Sequence, residues 1–188
     1  MSPIVLEKGM SSDIFSANLE DRTIHLIGPI TDEMAATIVA QLLYLAKKKP
    51  KGEGSDIQLY INSPGGSVSA GFAIYDTMRF ITPDIMTVCV GRAASMAAVI
   101  LSGDKKGKRC ILPHAEVMIH QPSGGMEGQS EDMVIAAEHI KETRNVLNGI
   151  LAENTGKQLE DIIKDTDRDH WMRADEAVSY GIVDRVLR

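Results

Sequence analysis

Apolar positions along the chain fall into short runs that alternate with longer stretches of helical spacing. Residues 24–27, Ile-His-Leu-Ile, read as a short strand closed by Gly28-Pro29. Thr31 is placed to cap a helix whose apolar positions, Met34, Ile38, Leu42 and Leu45, recur every three or four residues. After a polar loop at 50–54 the order repeats, with a strand at 57–61, a turn at 62–66 and a helix at 68–80. It repeats again with a strand at 85–90, a small-residue turn at 91–94 and a helix at 96–102. Strands at 109–112 and 116–120 follow, the second leading into Ser123-Gly124-Gly125. Strands that alternate with helices imply βαβ crossovers and a largely parallel sheet covered by helices.

The longest helical pattern runs from 131 to 153, with Met133, Ala137, Ile140, Leu147 and Leu151 in one stripe and Gly156 beyond its end. A shorter helix at 159–163 leads into the acidic turn Asp165-Thr166-Asp167-Arg168-Asp169. A helix at 174–180, stopped by Gly181, precedes a last strand at 182–187. Residues 1–20 show no clear period before Asp13-Ile14-Phe15 and read as a flexible N-terminal arm. The remainder, 21–188, reads as one domain.

Composition narrows the function. The 188 residues suit one domain, and 44% hydrophobic residues exclude a disordered chain. Twenty Lys and Arg against 26 Asp and Glu leave a net charge of −6, which speaks against a nucleic-acid partner. The basic run Lys47-Lys48-Lys49 belongs to a solvated loop. Two scattered cysteines, Cys89 and Cys110, make neither a disulfide framework nor a zinc site. Residues 4–6 are too few for a secretory leader, and no apolar stretch approaches the roughly 20 residues of a membrane span. A reduced, cytoplasmic protein without a membrane partner is expected.

In a parallel α/β sheet, functional groups gather at the carboxyl ends of strands. Three such ends carry chemistry here. Asn62-Ser63-Pro64-Gly65-Gly66-Ser67 holds a glycine pair whose backbone N–H groups can approach a developing negative charge, although a plain tight turn has the same composition. Ser95, in Ala93-Ala94-Ser95-Met96, sits where a strand turns into an apolar helix. It reads as a helix cap or as a nucleophile with the Met96 N–H as oxyanion donor. His120 ends an apolar strand, as a structural histidine or as a general base. A catalytic histidine needs a carboxylate to orient it, and Asp165, Asp167 and Asp169 are equally placed by spacing. No nucleotide-phosphate loop pattern and no metal-binding histidine pair occurs. Together these groups point to acyl-transfer hydrolysis.

Several stretches resemble the ClpP family, the proteolytic subunits of the Clp protease. They are residues 60–68 (Tyr-Ile-Asn-Ser-Pro-Gly-Gly-Ser-Val), 93–96, 118–122 (Met-Ile-His-Gln-Pro), 165–169, Glu176-Ala177 and Tyr180-Gly181. The resemblance implies Ser95 as nucleophile, His120 as base and Asp169 as its orienter, with the N–H groups of Gly66 and Met96 as the oxyanion hole. It implies a crotonase-like spiral of βαβ units with a mainly parallel sheet and a protruding handle helix, about 123–153. It further implies two stacked heptameric rings, with Asp167 and Arg168 in the contact between rings. Unfolded polypeptides would be delivered by an AAA+ unfoldase, which uses the ATP; this chain needs no cofactor and no metal.

The family's docking surface corresponds to Gln58, Tyr60 and Cys110. Aromatic residues are common in the family where Gln58 and Cys110 stand, the N-terminal arm, 1–20, is shorter than usual, and Ala97 replaces a frequent glycine. These departures imply weak unfoldase docking or work beside a second ClpP paralogue. Two other classes remain in view: an inactive scaffold subunit of a mixed ring, and an acyl-CoA enzyme of the crotonase fold. The latter usually acts through carboxylates rather than a serine.

Overall fold

The computed structural model describes residues 4–7, 10–48, 56–125 and 127–188; Lys49 and the loop expected at 50–54 lie outside them. The first described residues form an antiparallel pair, β1 (Ile4–Glu7) and β2 (Met10–Asp13), followed by the helix α1 (Ile14–Glu20). Asp13 caps α1, accepting from the backbone N–H groups of Phe15 and Ser16. The described residues of the stretch read as an aperiodic arm therefore form regular elements. Among the described residues β1 and β2 pair with each other alone, a local pairing that periodicity does not announce.

The main sheet begins with β3 (Thr23–Ile27), β4 (Ile57–Ser63) and β5 (Ile85–Ala94), paired in parallel. Between them run α2 (Asp32–Lys47) and α3 (Val68–Phe80), which pack against each other. Thr31 caps α2 through its side chain, as its position predicts, and Ala35, Ile38, Leu42 and Leu45 form the buried face. The strands bury alternate residues, so Ile57, Leu59 and Ile61 enter the core while Gln58 and Tyr60 stay half-buried.

β5 is longer than its apolar run suggests. Residues 91–94, expected as a turn, continue the strand because a second partner is waiting for them. The first part of β5 pairs with β6 (Arg109–Ile111), and Arg92, Ala93 and Ala94 pair with β7 (Glu116–Ile119), both in parallel. The chain then enters α4 (Met96–Ser102), every residue of which is buried. Gly71 on α3 makes room for it, since a Cβ there would lie 2.2 Å from Met96 Cγ.

α5 (Ser130–Thr155) is the expected long helix, but only Leu147, Asn148, Leu151 and Asn154 are buried. Of the predicted stripe, Leu147 and Leu151 reach the core, whereas Met133 is exposed beside Val134 and Ile135. Gly156 ends the helix in the left-handed region at φ 79°. α6 (Leu159–Asp165) follows, then β8 (His170–Arg173), a strand absent from the sequence reading, which pairs antiparallel with β7. α7 (Ala174–Tyr180) ends at Gly181 and leads to β9 (Arg185–Val186), parallel to β6.

A buried ion pair locks the last strand to the sheet. Arg109, 2% exposed, places Nη2 2.6 Å from Asp184 Oδ1 and donates through Nη1 to Asn154 O at 2.8 Å. Asp184 also accepts the backbone N–H groups of Gly107 and Arg109. Pairs of this kind leave little buried charge unanswered.

Candidate active site

Ser95 occupies the sharp step between β5 and α4 at φ 56° and ψ −126°, a conformation costly for a side chain other than glycine. It stands at the capping position of α4, yet its hydroxyl makes no capping bond. The helix-cap reading of Ser95 therefore fails. The backbone is held by Ser95 N–H donating to Met118 O at 2.8 Å and by Ala98 N–H donating to Ser95 O at 2.9 Å. Among the described residues the Ser95 hydroxyl has no hydrogen-bond partner.

The glycine pair lies directly against this turn. A Cβ on Gly65, at φ 89°, would meet Ala94 O at 2.6 Å, Ser95 Cβ at 2.7 Å and Met96 N at 3.1 Å. Gly65 N–H donates to Ser63 Oγ at 3.0 Å, and Gly66 forms a parallel bridge with Ile30. That bridge uses the Gly65 carbonyl and the Ser67 N–H, both bonded to Ile30 at 2.9 Å. The N–H groups of Gly66 and Met96 take no part in that bridge.

His120 follows β7, on the strand that pairs with the end of β5. Its Nδ1 lies 2.9 Å from Asp169 Oδ1. A carboxylate can only accept, so Nδ1 carries the proton and Nε2 of the neutral ring presents its lone pair. Spacing left three aspartates open, and the fold separates them. Asp165 accepts from the Tyr180 hydroxyl at 2.8 Å, and Asp167 offers its backbone oxygen to Gln121 Nε2 at 2.9 Å. Only Asp169 reaches the imidazole among these three.

Ser95, Met96 and His120 line one pocket with Val68, Val99, Ile119, Pro122, Leu147, Asn148 and Leu151. The walls are apolar apart from Ser95, His120 and Asn148. Asn148 is the lining residue that sequence reasoning missed. It lies on the buried side of α5, next to the apolar stripe, and nothing in its spacing marks it.

The remaining expected residues are scattered. Asp167 and Arg168 are strongly exposed, with Arg168 Nε 3.8 Å from Asp167 Oδ2. Tyr60 donates to Gln58 Oε1 at 3.1 Å and stacks on His25, which Phe15 meets edge-on. Cys110 does not share that surface. It is fully buried on β6, so its expected place in a docking face is corrected: within the chain it is a core residue. Burial pushes its thiol up, and pushes that of Cys89 up to about 12, so neither sulfur is a nucleophile near neutrality. Among the described residues, no group of three or more His, Cys, Asp or Glu is placed to hold a metal ion, and no helix is long and apolar enough to cross a membrane.

A comparison with protein families matches residues 7–188, nearly the whole chain, to the family described as Clp protease. The mainly parallel α/β sheet agrees with the strand and helix order of the sequence and with the crotonase-like fold class that the resemblance implies.

Proposed function

The chain belongs to the Clp protease family and is a Clp-type peptidase, and from that premise we propose that it is a serine endopeptidase with Ser95, His120 and Asp169 as its triad. The observation that carries this reading is the His120 Nδ1 to Asp169 Oδ1 contact at 2.9 Å beside a pocket shared by His120 and Ser95. That hydrogen bond fixes the tautomer in which Nε2 is free to accept a proton.

The reaction proceeds by acyl transfer. Ser95 Oγ attacks the peptide carbonyl and gives its proton to His120 Nε2. The resulting imidazolium is stabilised by Asp169, and the carbonyl oxygen becomes an oxyanion facing the N–H groups of Gly66 and Met96. Collapse breaks the C–N bond, and His120 returns the proton to the leaving amine. Water then attacks the acyl-enzyme with His120 again as base, releasing the acid and restoring Ser95. One oxyanion donor of this type contributes about 2.7–4 kcal/mol to transition-state stabilisation.

The assembly reading rests on α5. Met133, Val134 and Ile135 are 44%, 54% and 64% exposed on its first turns, an apolar surface suited to another subunit. We place this helix in the contact between two stacked seven-membered rings, with Asp167 and Arg168 beside it. The substrates are unfolded polypeptides passed in by an AAA+ unfoldase, which consumes the ATP. Glutamine at position 58, where the family commonly carries an aromatic residue, supports weak unfoldase docking or partnership with a second ClpP paralogue. The proposed location is the cytoplasm.

The test is Ser95→Ala. We expect loss of hydrolysis of unfolded protein and of small peptide esters, with loss of labelling by a fluorophosphonate. Retained hydrolysis in a clean preparation overturns the assignment.

A further inference from the structure

His120 and Asp169 meet one step beyond the end of a strand ladder. The pairing of β7 with β8 stops at Ile119 opposite His170, and the two side chains that touch belong to the next position on each side. Asp169 stands on an exposed turn. Its side chain is 59% exposed, and among the described residues the carboxylate has His120 as its one partner. So exposed a carboxylate keeps its rotamer freedom, and its aim depends on how the backbone beneath it is placed.

Gln121, the residue after the histidine, grips that turn twice. Its backbone N–H donates to Thr166 O at 2.6 Å, and its side-chain Nε2 donates to Asp167 O at 2.9 Å. Thr166 is fully buried, and its hydroxyl reaches Ile162 O on α6 at 2.8 Å, so that end of the turn is anchored in the core. Asp167, Arg168 and Asp169 then run along the surface. The Gln121 amide ties this exposed part to the strand that carries the histidine. Pro122 supports the grip, because a residue before proline is turned away from helical backbone and Gln121 leaves β7 extended.

We propose that Gln121 is a positioning residue for the reaction: its side-chain amide holds the acidic turn so that Asp169 faces His120 Nδ1. It acts through Asp169 and not on the substrate. The inference rests on the peptidase reading above, in which Asp169 orients the imidazole. A carboxamide suits this task, since it donates to a carbonyl without bringing a charge. A lysine or arginine of similar reach would offer the carboxylate a cation in competition with the imidazole. A merely structural role makes a different prediction, because its effect on rate is the same whether or not residue 169 is an acid.

The test is a double-mutant cycle on the whole assembled protein: Gln121→Met, Asp169→Asn and the two together, read as kcat and KM on a fluorogenic peptide. Methionine keeps the length and the backbone N–H to Thr166 while removing the donor to Asp167. Gln121→Met alone is expected to lower kcat about ten- to a hundredfold with KM little changed. In the Asp169→Asn background the same change is expected to cost about twofold or less, because the group it aims no longer holds the imidazole. Equal losses in both backgrounds, an unchanged kcat, or a rise in KM alone overturn the inference and leave the peptidase reading standing. If urea unfolding shows that Gln121→Met does not fold, Gln121→Glu, of the same length and without a donor at neutral pH, runs the same cycle and decides. A wild-type protein that cleaves no peptide and is not labelled at Ser95 by a fluorophosphonate overturns the peptidase reading, and this inference with it.

Discussion

His120 and Asp169 are 49 residues apart in the chain and 2.9 Å apart in space, one just after β7 and the other just before β8. The strand register explains the meeting. β7 and β8 are antiparallel with Ile119 opposite His170, so the next position along each strand brings His120 and Asp169 together. Asp169→Asn keeps this shape and removes the charge that holds the tautomer. We expect kcat to fall by a factor on the order of 10⁴ with KM little changed, as steady-state kinetics on a peptide substrate will show.

Gly65→Ala tests the packing of the glycine pair against Ser95. The added methyl has backbone on two sides, Ala94 O and Met96 N, and a strained φ of 89° to adopt. We expect a loss of about 1–3 kcal/mol in denaturant unfolding and a larger proportional loss of activity. The activity loss follows because Ser95 and Met96 are what must move. Fluorophosphonate labelling slowed to the same degree as thermal stability is lowered will contradict this.

Asp184 gives the chain a pH dependence of stability. Burial raises its carboxyl pKa, but the Arg109 side chain and the backbone N–H groups of Arg109 and Gly107 outweigh burial and leave it below the ordinary carboxylate range. A depressed folded-state value means that the stabilisation is complete above the unfolded-state value, about 3.9. It fades as pH falls through the lower folded value. Asp184→Asn strands the Arg109 charge and is expected to cost about 3–5 kcal/mol at neutral pH. Urea titrations at several pH values should show the gap between wild type and variant closing only in strong acid.

Ile135→Glu tests the exposed face of α5. Ile135 is 64% exposed and has no place in the core, so the isolated fold should tolerate the change within about 0.5 kcal/mol. If this face joins rings, the native mass should fall to that of a single ring. An unchanged mass places the contact elsewhere.

Where the sequence is legible, local chemistry is the reason. Thr31, Gly156 and Gly181 mark helix ends because capping and left-handed backbone are decided within a few residues. The alternation of apolar strands and periodic helices likewise yields the parallel sheet. Ser95 and His120 stand out because each terminates an apolar strand. What stays hidden is decided by partners distant in sequence. Residues 91–94 become strand because β7 pairs with them, and β8 exists because β7 has a second edge to offer. The choice of Asp169 over Asp165 and Asp167 follows from that same edge. Cys110 looks like a lost surface aromatic until β9 covers it on one side and β5 flanks it on the other.

The two-edged pairing of β7 also sets an order of completion. One edge meets β5 and brings His120 to the serine; the other waits for β8, which is translated only after α5 and α6. A growing chain thus carries Ser95 and His120 through the synthesis of some fifty further residues, from His120 to Asp169, without the carboxylate that holds the imidazole. Under the triad proposed here, the newborn subunit is expected to hydrolyse peptides far more slowly until that late strand pairs with β7.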